Sequence, residues 1–189
     1  MTIAVVPSVV MGFDGPHPVR VEVHVSTGAT LMGFAIVNVG NLDDHTYREV
    51  RDRLRAAILS SGYSWPLGRV TINIAPNALR PRWRSSGSSP LDLAMAVGIL
   101  VASGQLEPEL LGDNRFIGEL GLDGSIRRVP EVGLLVNALS AGPVVVPTGC
   151  EKELAPYWGW QSMATLADVV AFLERGPMCP CCMMRESVR

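Results

Sequence analysis

Lysine is almost missing from this chain: Lys152 is the only one in 189 residues. No glycine-rich loop precedes it, so the G-x-x-x-x-G-K-S/T phosphate cradle is not there. Gly118, Gly121 and Gly124 do not fit that spacing. ATP hydrolysis by this chain alone is not expected. Long apolar runs are missing too. None reaches the roughly 18–20 residues of a membrane span, so no membrane partner is expected. The apolar start, Met1 to Val10, carries no positive segment, and the first basic residue is Arg20. That argues against a signal peptide and makes the cytoplasm the expected location.

Positive charge is not in excess either. Sixteen Lys and Arg stand against 18 Asp and Glu, a net charge of −2. Nucleic acid is therefore not advertised as an obligatory partner. Cysteine is scarce over most of the chain. Cys150 is alone, and Cys179, Cys181 and Cys182 crowd near the end. This is no disulfide framework and agrees with a reducing compartment. Zinc takes four ligands, usually from two separated pairs. Cys179, Cys181 and Cys182 are the candidate ligands, within one tail or shared by two, but one cluster without a second pair points to no metal. The three histidines, His17, His24 and His45, fall in a turn, on a strand's polar face and near a helix cap. Nothing gathers them, and no cofactor is expected.

What is present is a hydrophobic fraction of 48%, enough for a sizeable core. Thr2 to Val10 reads as a strand, followed by a turn at Gly12, Asp14-Gly15 and Pro16. Val19, Val21, Val23 and Val25 alternate with Arg20, Glu22 and His24, the period of a half-buried strand. Leu31 to Val39 reads as another strand, and a hairpin of these last two is expected. Asp43 and Asp44 offer cap oxygens for a helix through Ser60 with Val50, Leu54, Ala57 and Ile58 inward. Its surface is expected to carry the pairs Arg48–Asp52 and Glu49–Arg53.

Val70 to Ile74 is a further strand, then a polar loop runs from Pro76 to Ser89. Asp92 to Ser103 reads as a helix buried on most sides, with Asp92 as its cap. Asp123-Gly124 between Phe116–Leu122 and Ser125–Val129 predicts a hairpin. A helix after Pro130 with Val132, Leu135, Val136 and Leu139 inward follows. Then come a strand at Val144–Val146, a helical turn at Glu151–Ala155, a strand at Gln161–Ala164 and a helix at Leu166–Glu174. The order predicts a mixed α/β (α+β) layer fold rather than a strict βαβ repeat. One domain over residues 1–175 and a cysteine-containing flexible tail over 176–189 are expected.

Several segments carry a resemblance together. They are Asp14-Gly15, Pro18–Ser26, Gly33–Val37, Arg48–Ala57, Ser60–Tyr63 with Trp65-Pro66, Arg69–Pro76, Leu91–Leu100, Ala102–Gln105 and Gly118–Ser125. In colinear order from Thr2 to Glu174, they resemble the N-terminal, Lon-protease-like domain of the bacterial ComM/YifB magnesium-chelatase-like ATPase family. The resemblance implies a ribosomal-S5-domain-2-like sandwich of a mixed sheet with packed helices. It also implies a hexameric AAA+ motor beyond this domain, whose phosphate loop this sequence lacks.

Lon-like peptidases use a Ser nucleophile and a Lys base, and the base must reach the hydroxyl. By resemblance the serine falls on Ser89 counting forward from Gly87, or on Pro90 counting back along the helix. The lysine falls on Gly133, which has no side chain to take a proton. Ser89 and Lys152 are thus the only candidates for a degenerate serine hydrolase, and peptidase chemistry is not expected. Two other readings remain. One is a stand-alone interaction or regulatory module whose partner is an AAA+ ATPase or a second copy. The other is a nucleic-acid-binding domain in which Arg80, Arg82 and Arg84 hold phosphate and Trp83 stacks a base. Glu119 is assigned a structural position on the hairpin.

Overall fold

A computed structural model describes residues 3–26, 33–37, 44–76, 89–139, 142–155, 157 and 159–176. The first two strands, β1 (Ile3–Met11) and β2 (Pro16–Ser26), form an antiparallel hairpin in which Met11 faces Pro16. Its turn is the expected one. The Gly12 N–H donates to the Gly15 carbonyl at 2.7 Å, and Gly15 takes φ 132°, open to a residue without Cβ.

The expected hairpin between β2 and the next strand does not form. β3 (Gly33–Val37) pairs in parallel with β4 (Arg69–Ala75), and β4 lies between β2 and β3, giving the order β1-β2-β4-β3. Parallel neighbours need a crossover. That crossover is α1 (Asp44–Ser60), whose buried residues are the expected Val50, Leu54, Ala57 and Ile58. Asp43, an expected cap, lies outside the described residues.

The second helix, α2 (Asp92–Ala102), is buried at every position. It lies against β1 and β2. Gly98 permits that approach: a Cβ there would stand 2.6 Å from Val23 Cγ2. Burying Leu93, Met95, Val97, Ile99 and Leu100 contributes about 1.5–3 kcal/mol for each large side chain.

The C-terminal half adds a three-stranded parallel sheet. β5 (Arg115–Phe116), β8 (Val144–Pro147) and β9 (Trp160–Met163) stand in the order β5-β8-β9. Every residue of β8 is buried, as a central parallel strand requires. The expected hairpin about Asp123-Gly124 is β6 (Glu119–Leu120) with β7 (Ile126–Arg127). Helices α3 (Val132–Ala138), α4 (Glu151–Leu154) and α5 (Leu166–Arg175) are the remaining α-helices among the described residues. α5 opens with a capping box between Thr165 and Asp168.

Two apolar clusters result. One joins α1, α2 and α5 to the four-stranded sheet. The other gathers Val9, Ile117, Val132, Leu135, Val146 and Leu154 around α3 and α4. Ser8 ties the sheets together, donating from Oγ to the Phe116 carbonyl at 2.6 Å. The architecture is α+β with mixed sheets, as the element order predicts.

Candidate functional site at the start of the second helix

An acid at the start of an otherwise apolar helix is costly unless something meets it. Asp92 is fully buried and does not cap α2; Leu91 holds the cap position, and no side chain bonds there. Arg53, from α1, meets the carboxylate with two of its three nitrogens, Nε at 2.6 Å and Nη2 at 3.3 Å. The Leu120 N–H from β6 adds a third contact at 3.3 Å. This displaces the expected Glu49–Arg53 pair. The Arg48–Asp52 pair is likewise replaced: Asp52 pairs with Arg51 at 2.8 Å, and Glu49 with His45 at 3.5 Å. Surface i,i+4 pairs are worth only about 0.3–0.5 kcal/mol, so a shielded carboxylate takes the arginine.

The electrostatics follow from burial. Burial pushes the Asp92 pKa up, while Arg53, Ser89 and the Leu120 N–H pull it down without overcoming that push. Burial works against the Arg53 charge, but the Asp92 carboxylate overrides it and the arginine's pKa is raised. Glu119, whose side chain is 14% exposed, stands nearby with Arg127 at 4.0 Å. Burial and then the Asp92 charge raise its pKa against Arg53, Ser89 and Arg127.

Backbone bonds fasten the same spot. Gly118 donates to the Pro90 carbonyl and accepts from the Leu93 N–H, both at 3.0 Å. A Cβ on Gly118 would come 2.4 Å from Ile126 Cγ2. Ser89 is 5% exposed, and its Oγ has no hydrogen bond of normal geometry among the described residues. It lies close enough to Asp92 to help lower that pKa.

Lys152 is not brought here. It is exposed on α4, whose Leu154 packs into the second cluster. No bond joins it to Ser89 among the described residues. Gly133 is half-buried, and a Cβ there would sit 3.4 Å from both the Glu153 carbonyl and the Tyr157 ring, in ordinary contact. Arg80, Arg82, Trp83 and Arg84, and Cys179, Cys181 and Cys182, lie outside the described residues. Among the described residues, no three His, Cys, Asp or Glu side chains are placed to hold a metal. The Arg53–Asp92–Glu119 cluster was missed from sequence. Its one signal was an acid beginning a helix with no polar face.

A second feature is an open groove of about 540 Å3 between the paired segments of β1, β2 and β4 and the residues Arg115, Ala138 and Leu139. Arg20 and Arg115 line it, with Pro7, Pro18 and Pro76. No helix among the described residues is long and apolar enough to cross a membrane.

The sequence profile of the ChlI subunit of Mg-chelatase matches residues 21–149. The chain is 36% identical over 168 residues to the protein YifB of Escherichia coli K12, covering 87% of this chain and 31% of that protein. It is 34% identical over 179 residues to the competence protein ComM of Haemophilus influenzae, covering 92% of this chain and 33% of that one. To the protein Rv2897c of Mycobacterium tuberculosis it is 36% identical over 132 residues, 70% of this chain and 24% of the other. The chain thus spans about a third of the first two relatives' length. On the match over most of its length, the chain belongs to the ChlI Mg-chelatase-like family, with homology to YifB and ComM over about nine tenths of its length.

Proposed function

We infer that this domain is a non-catalytic interaction or regulatory module on a Lon-like scaffold. Its partner is the AAA+ motor of a ComM-type protein or a second copy of the chain. The observation that carries this reading is the part of the sheet's outer face, away from the Val9 end that α3 covers, which no other element covers among the described residues. Ile3, Val5 and Val37 are 60%, 45% and 42% exposed. The strand registers bring them onto one surface with Glu22 and Asn73, opposite the face that packs on α2. Apolar side chains gathered on one face mark contact surfaces. Ser89 is enclosed and Gly133 is packed against α4, which supports a scaffold without a hydrolytic dyad.

The test is co-elution of the full chain with a ComM-type ATPase, and its own mass by light scattering. Val5→Asp and Val37→Asp together should abolish whichever association the native chain shows. A native chain that is monomeric and binds no such ATPase removes the reading. A fluorophosphonate should leave the native protein unlabelled; labelling that disappears in Ser89→Ala would restore the hydrolase alternative.

The groove favours a second reading, binding of single-stranded nucleic acid. Pro76 lines it, and residues 77–88 that follow carry Arg80, Arg82 and Arg84 with no acid. Phosphate contacts release counterions, so affinity falls steeply with salt. Replacing Arg80, Arg82 and Arg84 with Ala should reduce that salt slope by about 2–3. Binding that ignores both salt and these substitutions would dismiss it.

A further inference from the structure

β1 is an edge strand: in the order β1-β2-β4-β3 only one side of it is paired. Which of its main-chain groups face the other side follows from the hairpin. Antiparallel pairs alternate between residues that exchange hydrogen bonds and residues whose N–H and C=O point away from each other. The Gly12 N–H bond to the Gly15 carbonyl makes that pair one of the first kind. Counting back along the register, Pro7–Arg20, Val5–Glu22 and Ile3–His24 fall in the second kind. The prolines confirm the count. Pro16, Pro18 and Pro7 have no N–H to give, and each stands in a pair that asks for none. Ile3 and Val5 therefore aim both main-chain groups at the open edge, and Pro7 aims a carbonyl.

Among the described residues no main-chain bond from outside the hairpin reaches these three. Beyond Pro7 the edge closes, because Ser8, Val9 and Val10 are buried and β5 lies alongside. Natural edges are blunted by charged side chains, bulges, proline or a covering element. No residue of β1 is charged, and Pro7 alone limits what can pair there.

We propose that β1 pairs with β1 of a second copy, antiparallel, across a two-fold axis at Ala4. That register sets Ile3 opposite Val5 of the other copy. Each such pair exchanges both its hydrogen bonds, so the N–H and C=O of Ile3 and Val5 are met in both copies. An axis at Val5 would instead set Ile3 against Pro7, whose missing N–H leaves the Ile3 carbonyl unmet. The pairing is self-complementary, as a two-fold contact must be. It brings no like charges together along β1, and it sets the exposed Ile3 and Val5 side chains of the two copies side by side on the outer face. This pairing rests on the interaction reading above and narrows it: the partner is a second copy and the contact is main chain.

So short a ladder makes a weak dimer, so the full chain is followed by sedimentation equilibrium up to about 1 mM. A monomer–dimer equilibrium is expected. Val5→Pro removes the outward N–H and takes nothing from the β1–β2 ladder, and should weaken the dimer at least about ten-fold. Val5→Thr keeps the N–H and a branched side chain, and should dimerise like the native chain. Amide exchange in the native chain gives a second measurement that needs no variant to fold. The Ile3 and Val5 amides should slow as concentration rises, while those of Ala4 and Val6, already bonded to β2, should not change. A native chain that stays monomeric at the highest concentration would overturn the proposal. So would dimerisation of Val5→Pro at native strength, its loss in Val5→Thr, or Ile3 and Val5 amides indifferent to concentration. The interaction reading fails separately. A dimer lost in Val37→Asp but kept in Val5→Pro removes the edge and retains the outer face, and so does a monomer that still binds a ComM-type ATPase.

Discussion

Arg53 and Asp92 stand 39 positions apart in the chain and meet at 2.6 Å, with the carboxylate wholly shielded from solvent. The pair joins α1 to the start of α2, and the Leu120 N–H brings in the β6–β7 hairpin. Removing one partner of a buried ion pair strands the other. Arg53→Met is expected to cost about 3–5 kcal/mol in urea unfolding. Asp92→Asn added to it should recover part of the loss, because it removes the stranded charge and keeps an acceptor for Leu120. A loss in Arg53→Met no larger than a surface substitution gives would show that the pair carries no such weight.

Glu119 provides a pH signature. Its folded-state pKa is raised above the ordinary 4.5, first by burial and then by Asp92. The folded protein therefore holds this proton more tightly than the unfolded chain. The resulting stability is fully present below the unfolded value and is lost as pH rises through the folded one. Glu119→Gln abolishes that loss. Its stability relative to the native protein should climb as pH rises above the ordinary value of 4.5 and level off above the folded-state value, on a scale set by the shift itself. Parallel curves for the two proteins would refute the assignment.

Gly98→Ala separates local preference from packing. Alanine gains about 1 kcal/mol over glycine in a helix interior. Here the added methyl would meet Val23 Cγ2 at 2.6 Å, Val23 Cβ at 3.3 Å and Val6 Cγ2 at 3.4 Å. Overpacking of this kind costs about 1–3 kcal/mol. The variant should therefore melt below the native protein, and a higher melting temperature would mean that β1 and β2 yield easily.

Periodicity made the helices legible. The inward stripe of α1 and the apolar face of α3 read directly, because a helix buries residues at spacings fixed by its own geometry. Pairing of strands did not read. Two neighbouring apolar runs suggested that β2 turns into β3, whereas β3 pairs with β4 across a whole helix. Short-range turn chemistry cannot reveal a neighbour supplied by a crossover. The candidate site was hidden for a related reason. Arg53 has acids at helical spacing that would serve it on the surface, and only the assembled layers show that Asp92 has a stronger claim.

The complete enclosure of α2 also bears on how the molecule opens. A helix with a wet face can fray or lift away while the remainder holds. This one touches the sheet on one side and other elements elsewhere, so its peptide hydrogens are released only when the layers separate as a unit. In deuterated buffer its amides should be among the last to exchange, at a rate that reports cooperative opening of the whole domain.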